Sequence, residues 1–197
     1  AEILAFAKTD WIREKVRAEH DVTIHKVSPS LDHSLFYPSF SLVKNGDIKI
    51  CGMIRPKTPR RNAALTMRIF KRLSDQFGSR IGVEIFGVDA DDRKFAKLDR
   101  QFDFCNHGVC TQREVAQILR SCDIFMDLST YQAFGRTGLE ALACGCCAIL
   151  PSKGGVREYA RDGENCLLVD TSNEDEILLA ASRLIESSAL REDLRTE

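Results

Sequence analysis

The sequence predicts an α/β fold, a Rossmann-like parallel sheet with helices on both of its faces. Short apolar runs of strand length alternate along most of the chain with longer segments whose apolar residues recur at helical spacing. Turns rich in Gly, Pro and Asp separate many of these segments. Because strands that alternate with helices return to the same end of a sheet, we expect a parallel sheet covered on both faces.

Residues 1–38 are predicted to be a strand, helix and strand that end at a domain boundary. The predicted strands cover 3–6 and 21–27, and the predicted helix begins near Thr9 or Asp10, good N-cap residues, and continues through residue 16. Turn chemistry over 28–32 then marks a boundary, so we expect one domain to end by residue 38 and a second to cover 39–197. The chain starts without Met inside an apolar run, and we expect it to be a piece of a longer protein.

Residues 39–197 hold the predicted sheet. The predicted strands cover 48–54, 81–86, 102–105, 122–128 and 146–150. The predicted helices cover 62–77, 111–120, 136–143 and 173–187. Thr111 and Glu114 form a T-x-x-E capping box that indicates the start of one of these helices. A polar segment that contains Asp89 and Asp92 is predicted to be a loop with a short helix.

The composition excludes several classes of partner. A net charge of −1 without a basic block indicates neither nucleic acid nor an anionic membrane surface. No apolar run approaches the roughly 20 residues of a spanning helix, and the start of the chain lacks the pattern of a signal peptide. We therefore expect a cytoplasmic protein with no membrane span.

The eight cysteines are interpreted as reduced structural thiols. Three of them fall within 144–147, but no His lies nearby and no second C-x-x-C pair completes a zinc set. Cys51, Cys122 and Cys166 lie in or beside apolar runs, where a free thiol behaves as a small core residue. We expect no metal site.

Three loops should meet at the carboxyl ends of the strands, where ligands bind in open α/β sheets. They cover 55–61, 87–89 and 130–138. The first of them holds Arg55, Lys57, Arg60 and Arg61, four cations in seven residues directly after a strand. It is either a solvated basic loop or a clamp for a diphosphate, because guanidinium groups match phosphate oxygens in bidentate geometry.

Glu140 is the residue around which the site is predicted. The helix over 136–143 follows a small-residue turn that ends in Gly135, an arrangement that aims free backbone N–H groups at an anion. Most other residues of this helix are small or apolar, so a carboxylate there needs a partner. The partner is either Arg136, one turn back, or a hydroxyl group of a ligand.

A longer pattern connects these residues. It runs through Gln132-Ala133-Phe134-Gly135, Leu139-Glu140-Ala141-Leu142-Ala143-Cys144-Gly145, Gly154-Gly155, Glu158 and Asp162-Gly163-Glu164-Asn165. The pattern resembles the nucleotide-sugar-binding domain of retaining glycosyltransferases with the GT-B fold, of the family 4 type. The resemblance covers most of residues 48–185. Residues 1–38 in turn look like the tail end of the N-terminal, acceptor-binding domain of that fold and its connector.

The resemblance implies roles for individual residues. Glu140 should hold the ribose hydroxyls of the donor nucleotide. Phe134 and Gly135 should lie along the sugar and the diphosphate, with the amides at the helix start, at Arg136 and Thr137, facing the phosphates. Together these residues would form the binding site for the donor.

Gln132 departs from the family pattern, which has a second glutamate close to the donor sugar at this position. Glutamine still donates to and accepts from sugar hydroxyls, so the resemblance keeps Gln132 beside Glu140 as a catalytic residue. It brings no charge to a developing oxocarbenium ion. The departure leaves the identity of the sugar open.

The first strand departs from the family pattern as well. The family has an Arg directly after the strand glycine and a Lys further on, whereas here Gly52 is followed by Met53. Arg55 and the pair Arg60-Arg61 are the expected substitutes, with Arg61 in place of the Lys. Gly52 itself would let the backbone approach the ligand closely.

The resemblance implies a glycosyltransferase of hexosyltransferase type that moves a sugar from a nucleotide diphosphate sugar to a hydroxyl acceptor with retention, in glycan or polysaccharide synthesis. It implies no required cofactor or metal, and an acceptor held through an N-terminal domain that this sequence lacks. The alternative is a degenerate, non-catalytic GT-B module used for folding or partner binding. A dinucleotide-dependent oxidoreductase is disfavoured because no G-x-G-x-x-G follows the first strand.

Overall fold

The protein is described by a computed structural model over residues 4–38 and 47–195. Its main sheet has six parallel strands, which are β3 (Ile48–Met53), β4 (Ile81–Phe86), β5 (Cys105–Asn106), β6 (Ile124–Met126), β7 (Cys147–Pro151) and β8 (Leu167–Val169). Their order across the sheet is β5-β4-β3-β6-β7-β8. The predicted fold class is confirmed.

Helices cover the two faces of the sheet. They are α2 (Ala63–Phe77), α3 (Gln112–Ser121), α4 (Arg136–Ala143), α5 (Glu174–Glu186) and α6 (Ser188–Arg195). Strand residues alternate between two cores: Ile50 joins the core under α2, α5 and α6, whereas the next residue, Cys51, joins the core under α3 and α4. This alternation follows from the two-residue period of a strand, and burial on both faces explains why the strands are apolar runs.

A smaller unit precedes the sheet. It comprises β1 (Phe6–Ala7), α1 (Asp10–His20) and β2 (His25–Lys26), and its two short strands pair in parallel. Thr9 caps α1 by accepting a hydrogen bond from the amide of Ile12, as predicted. The predicted boundary next to residue 39 adjoins the segment 39–46, which lies outside the described residues, and it stays a prediction.

Most predicted elements are present, with shifted ends. The helix over 136–143 is confirmed to the residue, and the capping box of Thr111 and Glu114 is formed at the start of α3. Several strands end earlier or begin later than predicted. For example, β6 pairs with its neighbours only from residue 124 to 126. The short strand β8 and the last helix α6 were not predicted.

Six of the eight cysteines are buried in the two cores, and all eight are free thiols. Cys144 lies at the C-terminal end of α4, where burial raises the pKa of its thiol to about 12. Within the two described ranges, no helix is long and apolar enough to cross a membrane.

Candidate functional site

The strand order reverses between β3 and β6, so the crevice for a ligand is expected beyond the ends of these two strands. Gly52 pairs with Met126 across this junction. A Cβ on Gly52 would lie 2.8 Å from Cζ of Phe70 in α2. Packing of α2 against the sheet therefore accounts for this glycine, and the residue is buried below the crevice rather than exposed in it.

A first cavity, of about 190 Å³, opens beyond β3 and β4; we call it the Glu140 cavity. Its lining combines apolar side chains with a few polar groups: Phe36, Met53, Arg55, Phe86, Gly87, Val109, Cys110, Gln112, Val115, Arg136, Thr137 and Glu140. Arg55, from the loop after β3, thus shares a cavity with Glu140. An apolar pocket with a few convergent polar groups is the usual form of a small-molecule site.

The Glu140 carboxylate faces this cavity with little help from protein partners. Its side chain is only 8% exposed, and Nε of Arg136 lies 3.6 Å from its Oε1. That distance is too long for a good hydrogen bond, and the Arg136 side chain is itself 55% exposed, so the ion pair is weak. Burial raises the pKa of Glu140 to about 7, and the charge of Arg136 offsets only part of the effect.

This shifted pKa predicts how stability depends on pH. Folded Glu140 keeps a proton up to a pKa of about 7, whereas the unfolded carboxyl loses it near 4.5, so its contribution to stability falls as pH rises through that window. Glu140→Gln, which never ionises, should therefore be more stable than the parent at pH 8 by roughly 1–3 kcal/mol and nearly equal to it at pH 5. Urea unfolding at both values checks this, and a less stable variant at pH 8 would show that Arg136 stabilises the carboxylate.

A second cavity, of about 400 Å³, adjoins the first; we call it the cationic cavity. Its basic residues are Lys8, Arg60, Arg61 and Arg136, and none of the acidic residues in the described ranges lines it. The rest of its lining is Val27, Ser28, Pro29, Ser30, Gln132, Ala133, Phe134 and Gly135. Arg136 lines both cavities, so a ligand with an anionic part and an uncharged part could occupy the two together.

The start of α4 forms one side of the cationic cavity. Gly135 is its N-cap with φ 84°, a left-handed conformation that favours glycine. A Cβ there would also lie 2.8 Å from the hydroxyl of Tyr159, which donates to the Gly135 carbonyl. The ring of Phe134 is buried against that tyrosine. The first amides of α4, at Arg136 and Thr137, have no partners within the helix and are available to an anion.

The four cations of the basic loop after β3 have two kinds of surroundings. Arg55, Arg60 and Arg61 line the two cavities, whereas the Lys57 ammonium pairs with Asp92 at 2.6 Å. Arg61 lies deepest, with a side chain 17% exposed and its Nη1 3.4 Å from Oδ2 of Asp127. Burial lowers the pKa of this guanidinium. The structure thus brings together Glu140, Gln132, Phe134–Thr137 and the three arginines, and leaves Gly52 below them.

Sequence reasoning missed Asp127, Tyr159 and Lys8 as parts of this site. Asp127 ends the apolar run that becomes β6, and a carboxylate directly after a buried strand at the reversal of strand order is a signal that could have found it. Tyr159 and Lys8 carry no such signal, since their places depend on packing between distant segments. Tyr159 lies 24 residues from its partner Gly135.

Comparisons with known proteins show the family to which the chain belongs. Residues 39–197 match the family model described as "Glycosyl transferases group 1". A D-inositol 3-phosphate glycosyltransferase of Thermomonospora curvata is 31% identical over 85 residues, which are 43% of this chain. The match covers only 20% of that relative's length, so the chain corresponds to a small part of it.

Solved structures show the same fold. The C-terminal domain of a glycosyl transferase group 1 family protein, LpcC of Francisella tularensis, superposes with a TM-score of 0.69 at 23% identity, over 84% of this chain and 93% of that one. HepE of Anabaena, solved in complex with UDP and glucose, superposes with a TM-score of 0.76 at 16% identity, over 98% of this chain and 57% of that one.

Proposed function

The chain belongs to the group 1 glycosyltransferases, and from this membership we propose that it is the donor-binding part of a retaining enzyme. The enzyme would move a sugar from a nucleotide diphosphate sugar to a hydroxyl acceptor in glycan or polysaccharide synthesis. The hydroxyl acceptor would bind through a further, N-terminal domain, for which residues 1–38 supply the last elements and the connector. We also propose that the enzyme is of the family 4 type and that the sugar keeps its anomeric configuration.

One observation carries the proposal: a buried carboxylate faces an apolar cavity that adjoins a cationic one. Glu140 would accept hydrogen bonds from ribose hydroxyls, and the apolar lining around it would hold the nucleoside. The diphosphate would lie in the cationic cavity, against Arg60, Arg61 and the start of α4. Arg136, which lines both cavities, would stand where the nucleoside joins the phosphates.

The same groups would serve the chemical step. When the bond between the anomeric carbon and the phosphate oxygen breaks, negative charge grows on the leaving diphosphate. Guanidinium groups and helix amides that are already aimed at that charge stabilise the transition state more than the ground state. We propose that the arginines and the amides of α4 supply this stabilisation, so that no metal is required.

A single nucleoside diphosphate should stabilise the chain in a panel of UDP, GDP, ADP and dTDP. At a concentration of about 100 times its Kd, it should add about 2.7 kcal/mol of stability, which raises the melting temperature of a chain of this size by several degrees. Arg55→Ala should weaken its binding about tenfold, because the arginine lines the Glu140 cavity. Lys57→Ala, in the same loop but paired with Asp92, is the matched control and should bind like the parent.

A second candidate function is a non-catalytic module. It is favoured by the Gln132 side chain, whose amide contacts protein groups, and by Met53 in place of the family's arginine. In the panel, an unchanged melting temperature with all four nucleotides favours the module, whereas a shift with one of them favours the donor-binding part.

A further inference from the structure

We infer that Asp127 is a positioning residue that fixes two arginines in the cationic cavity, Arg61 directly and Arg60 through the amide of Gln132. The inference rests on the proposed function. It also gives Gln132 a different role, as a link between Asp127 and Arg60 rather than a ligand of the donor sugar. Three contacts carry it: Gln132 to Asp127 at 2.6 Å, Arg60 to Gln132 at 3.0 Å and Arg61 to Asp127 at 3.4 Å.

The Gln132 amide is almost fully used by the protein. Its Nε2 donates to Oδ2 of Asp127 at 2.6 Å and to the hydroxyl of Ser129 at 3.0 Å. Its Oε1 accepts from Nη1 of Arg60 at 3.0 Å. A primary amide has two hydrogens and two lone pairs, so only one lone pair is left for a ligand. Both hydrogens of Nε2 are used within the protein, so the side chain has none to donate to a sugar hydroxyl. The residue is also only 2% exposed.

The orientation of this amide follows from its neighbours. If its nitrogen and oxygen were exchanged, the Gln132 oxygen would face a carboxylate oxygen of Asp127 at 2.6 Å and its NH₂ group would face the Arg60 guanidinium. Both contacts would be repulsive, and the hydrogen-bond network therefore assigns one orientation. The Asp127 carboxylate thus polarises the Gln132 amide, which strengthens the hydrogen bond that the amide oxygen accepts from Arg60.

Asp127 is in turn fixed on every side. Its Oδ1 accepts from the amide of Ser129 at 3.0 Å and from the Ser129 hydroxyl at 2.5 Å. Its Oδ2 accepts from Gln132 and lies 3.4 Å from Nη1 of Arg61. The side chain is only 6% exposed, so removal of its charge would leave the half-buried Arg61 guanidinium without compensation.

Arg60 is held at both ends. Its carbonyl accepts from the amide of Thr130 at 2.9 Å, and its guanidinium lies over the ring of Tyr131 at 5.9 Å besides its bond to Gln132. A long side chain that is already ordered loses less conformational freedom when a ligand binds. The network therefore gives the cavity two pre-positioned cations for the diphosphate.

The network also explains a neutral residue at position 132. A glutamate there would place a carboxylate oxygen about where Nε2 now lies, against Oδ2 of Asp127. Two carboxylates at such a distance repel, and one of them would have to take up a proton. In this chain the carboxylate of Asp127 lies behind Gln132, five residues earlier in the sequence.

The experiment compares Asp127→Asn, Gln132→Glu and the double variant with the parent chain. Affinities for the nucleoside diphosphate that the parent binds and for the corresponding monophosphate are measured by calorimetry. Each single variant should bind the diphosphate about tenfold more weakly and the monophosphate almost normally. In the double variant the new amide at position 127 would donate to the new carboxylate at position 132 and restore a charged partner for Arg60. It should bind the diphosphate several-fold more tightly than the two single losses predict together.

Two further variants keep the result independent of folding. Asp123→Asn changes another buried aspartate next to the same strand, one that accepts from the amide of Lys49 and contacts Arg195 at the opposite strand end. It should lower the melting temperature and leave the ratio of diphosphate to monophosphate affinity unchanged. Arg60→Ala leaves the buried aspartate in place and should show the same diphosphate-specific loss as Gln132→Glu.

The outcomes separate the two claims. A parent chain that binds no nucleotide overturns the proposed function, and the role of Asp127 with it. A parent that binds nucleotide while Asp127→Asn keeps the parent ratio of diphosphate to monophosphate affinity overturns the positioning role alone. Tighter diphosphate binding by Gln132→Glu would do the same, since it would show that a carboxylate at position 132 does not disturb Arg60 by repulsion from Asp127.

Discussion

Alanine in place of Gly155 should destabilise the fold by about 2–4 kcal/mol and remove nucleotide binding with it. A Cβ on Gly155 would lie 2.1 Å from the carbonyl oxygen of Ala133 and 2.5 Å from Cγ2 of Thr9. The loop can hardly withdraw, because the Gly155 amide donates to the carbonyl of Gln132 at 2.7 Å. The strain would therefore fall on the turn that carries Gln132 and the start of α4.

Gly82→Ala is the matched control for this variant. Gly82 lies in β4, where an added Cβ would meet no atom of the described residues within 4 Å and the backbone is outside the left-handed region. Its unfolding midpoint in urea should stay near the parent value or rise, because alanine restricts the unfolded chain. Equal midpoints for Gly155→Ala and the parent would show that the turn can move aside and that the close packing is not required.

The second large effect is expected at Glu140. At pH 8, where Glu140 is ionised, Glu140→Ala should weaken binding of the nucleoside diphosphate by about 1–3 kcal/mol, the scale of hydrogen bonds to a charged group. The carboxylate faces the cavity, and the Arg136 contact at 3.6 Å leaves its oxygens able to accept from ribose hydroxyls. Titration calorimetry against Glu186→Ala, which changes an exposed glutamate at the end of α5, measures the loss.

A ligand without ribose hydroxyls tests the contact itself. The parent should bind a 2′,3′-dideoxynucleoside diphosphate about as weakly as Glu140→Ala binds the ribonucleotide. The variant should bind both ligands alike, because removal of either partner of one interaction makes removal of the other neutral. Equal affinities of parent and variant for the ribonucleotide would exclude this role for Glu140 and leave Arg136 as its partner.

Periodicity predicted the architecture where a segment is long or buried on both faces. The apolar spacing of α2 and the apolar runs of β3 and β4 identify their elements without tertiary information. The strand β8 has only three residues, too few for a period to show. The helix α6 is polar overall and depends on tertiary contacts, among them the Arg191 guanidinium, which donates to the carbonyls of Leu184 and Ile185 at the end of α5.

The candidate site was predicted in outline for a related reason. The position of a loop at one end of a parallel sheet follows from the order of elements, so the basic loop and the turn before α4 could be placed together. Side-chain partners do not follow from that order. Asp127 and Arg61 are 66 residues apart, and only the pairing of β3 with β6 brings them within reach of each other.

The unit formed by residues 4–38 contributes directly to the site, since Lys8 and residues 27–30 line the cationic cavity. It is fastened there by Thr9, whose hydroxyl donates to the Ala133 carbonyl, and by Lys26, which pairs with Glu158. The family match begins only at residue 39. A protein trimmed to the matched region would lack Lys8 and residues 27–30, so the cationic cavity would be open on that side. A phosphate affinity measured on the trimmed protein would omit what these residues contribute.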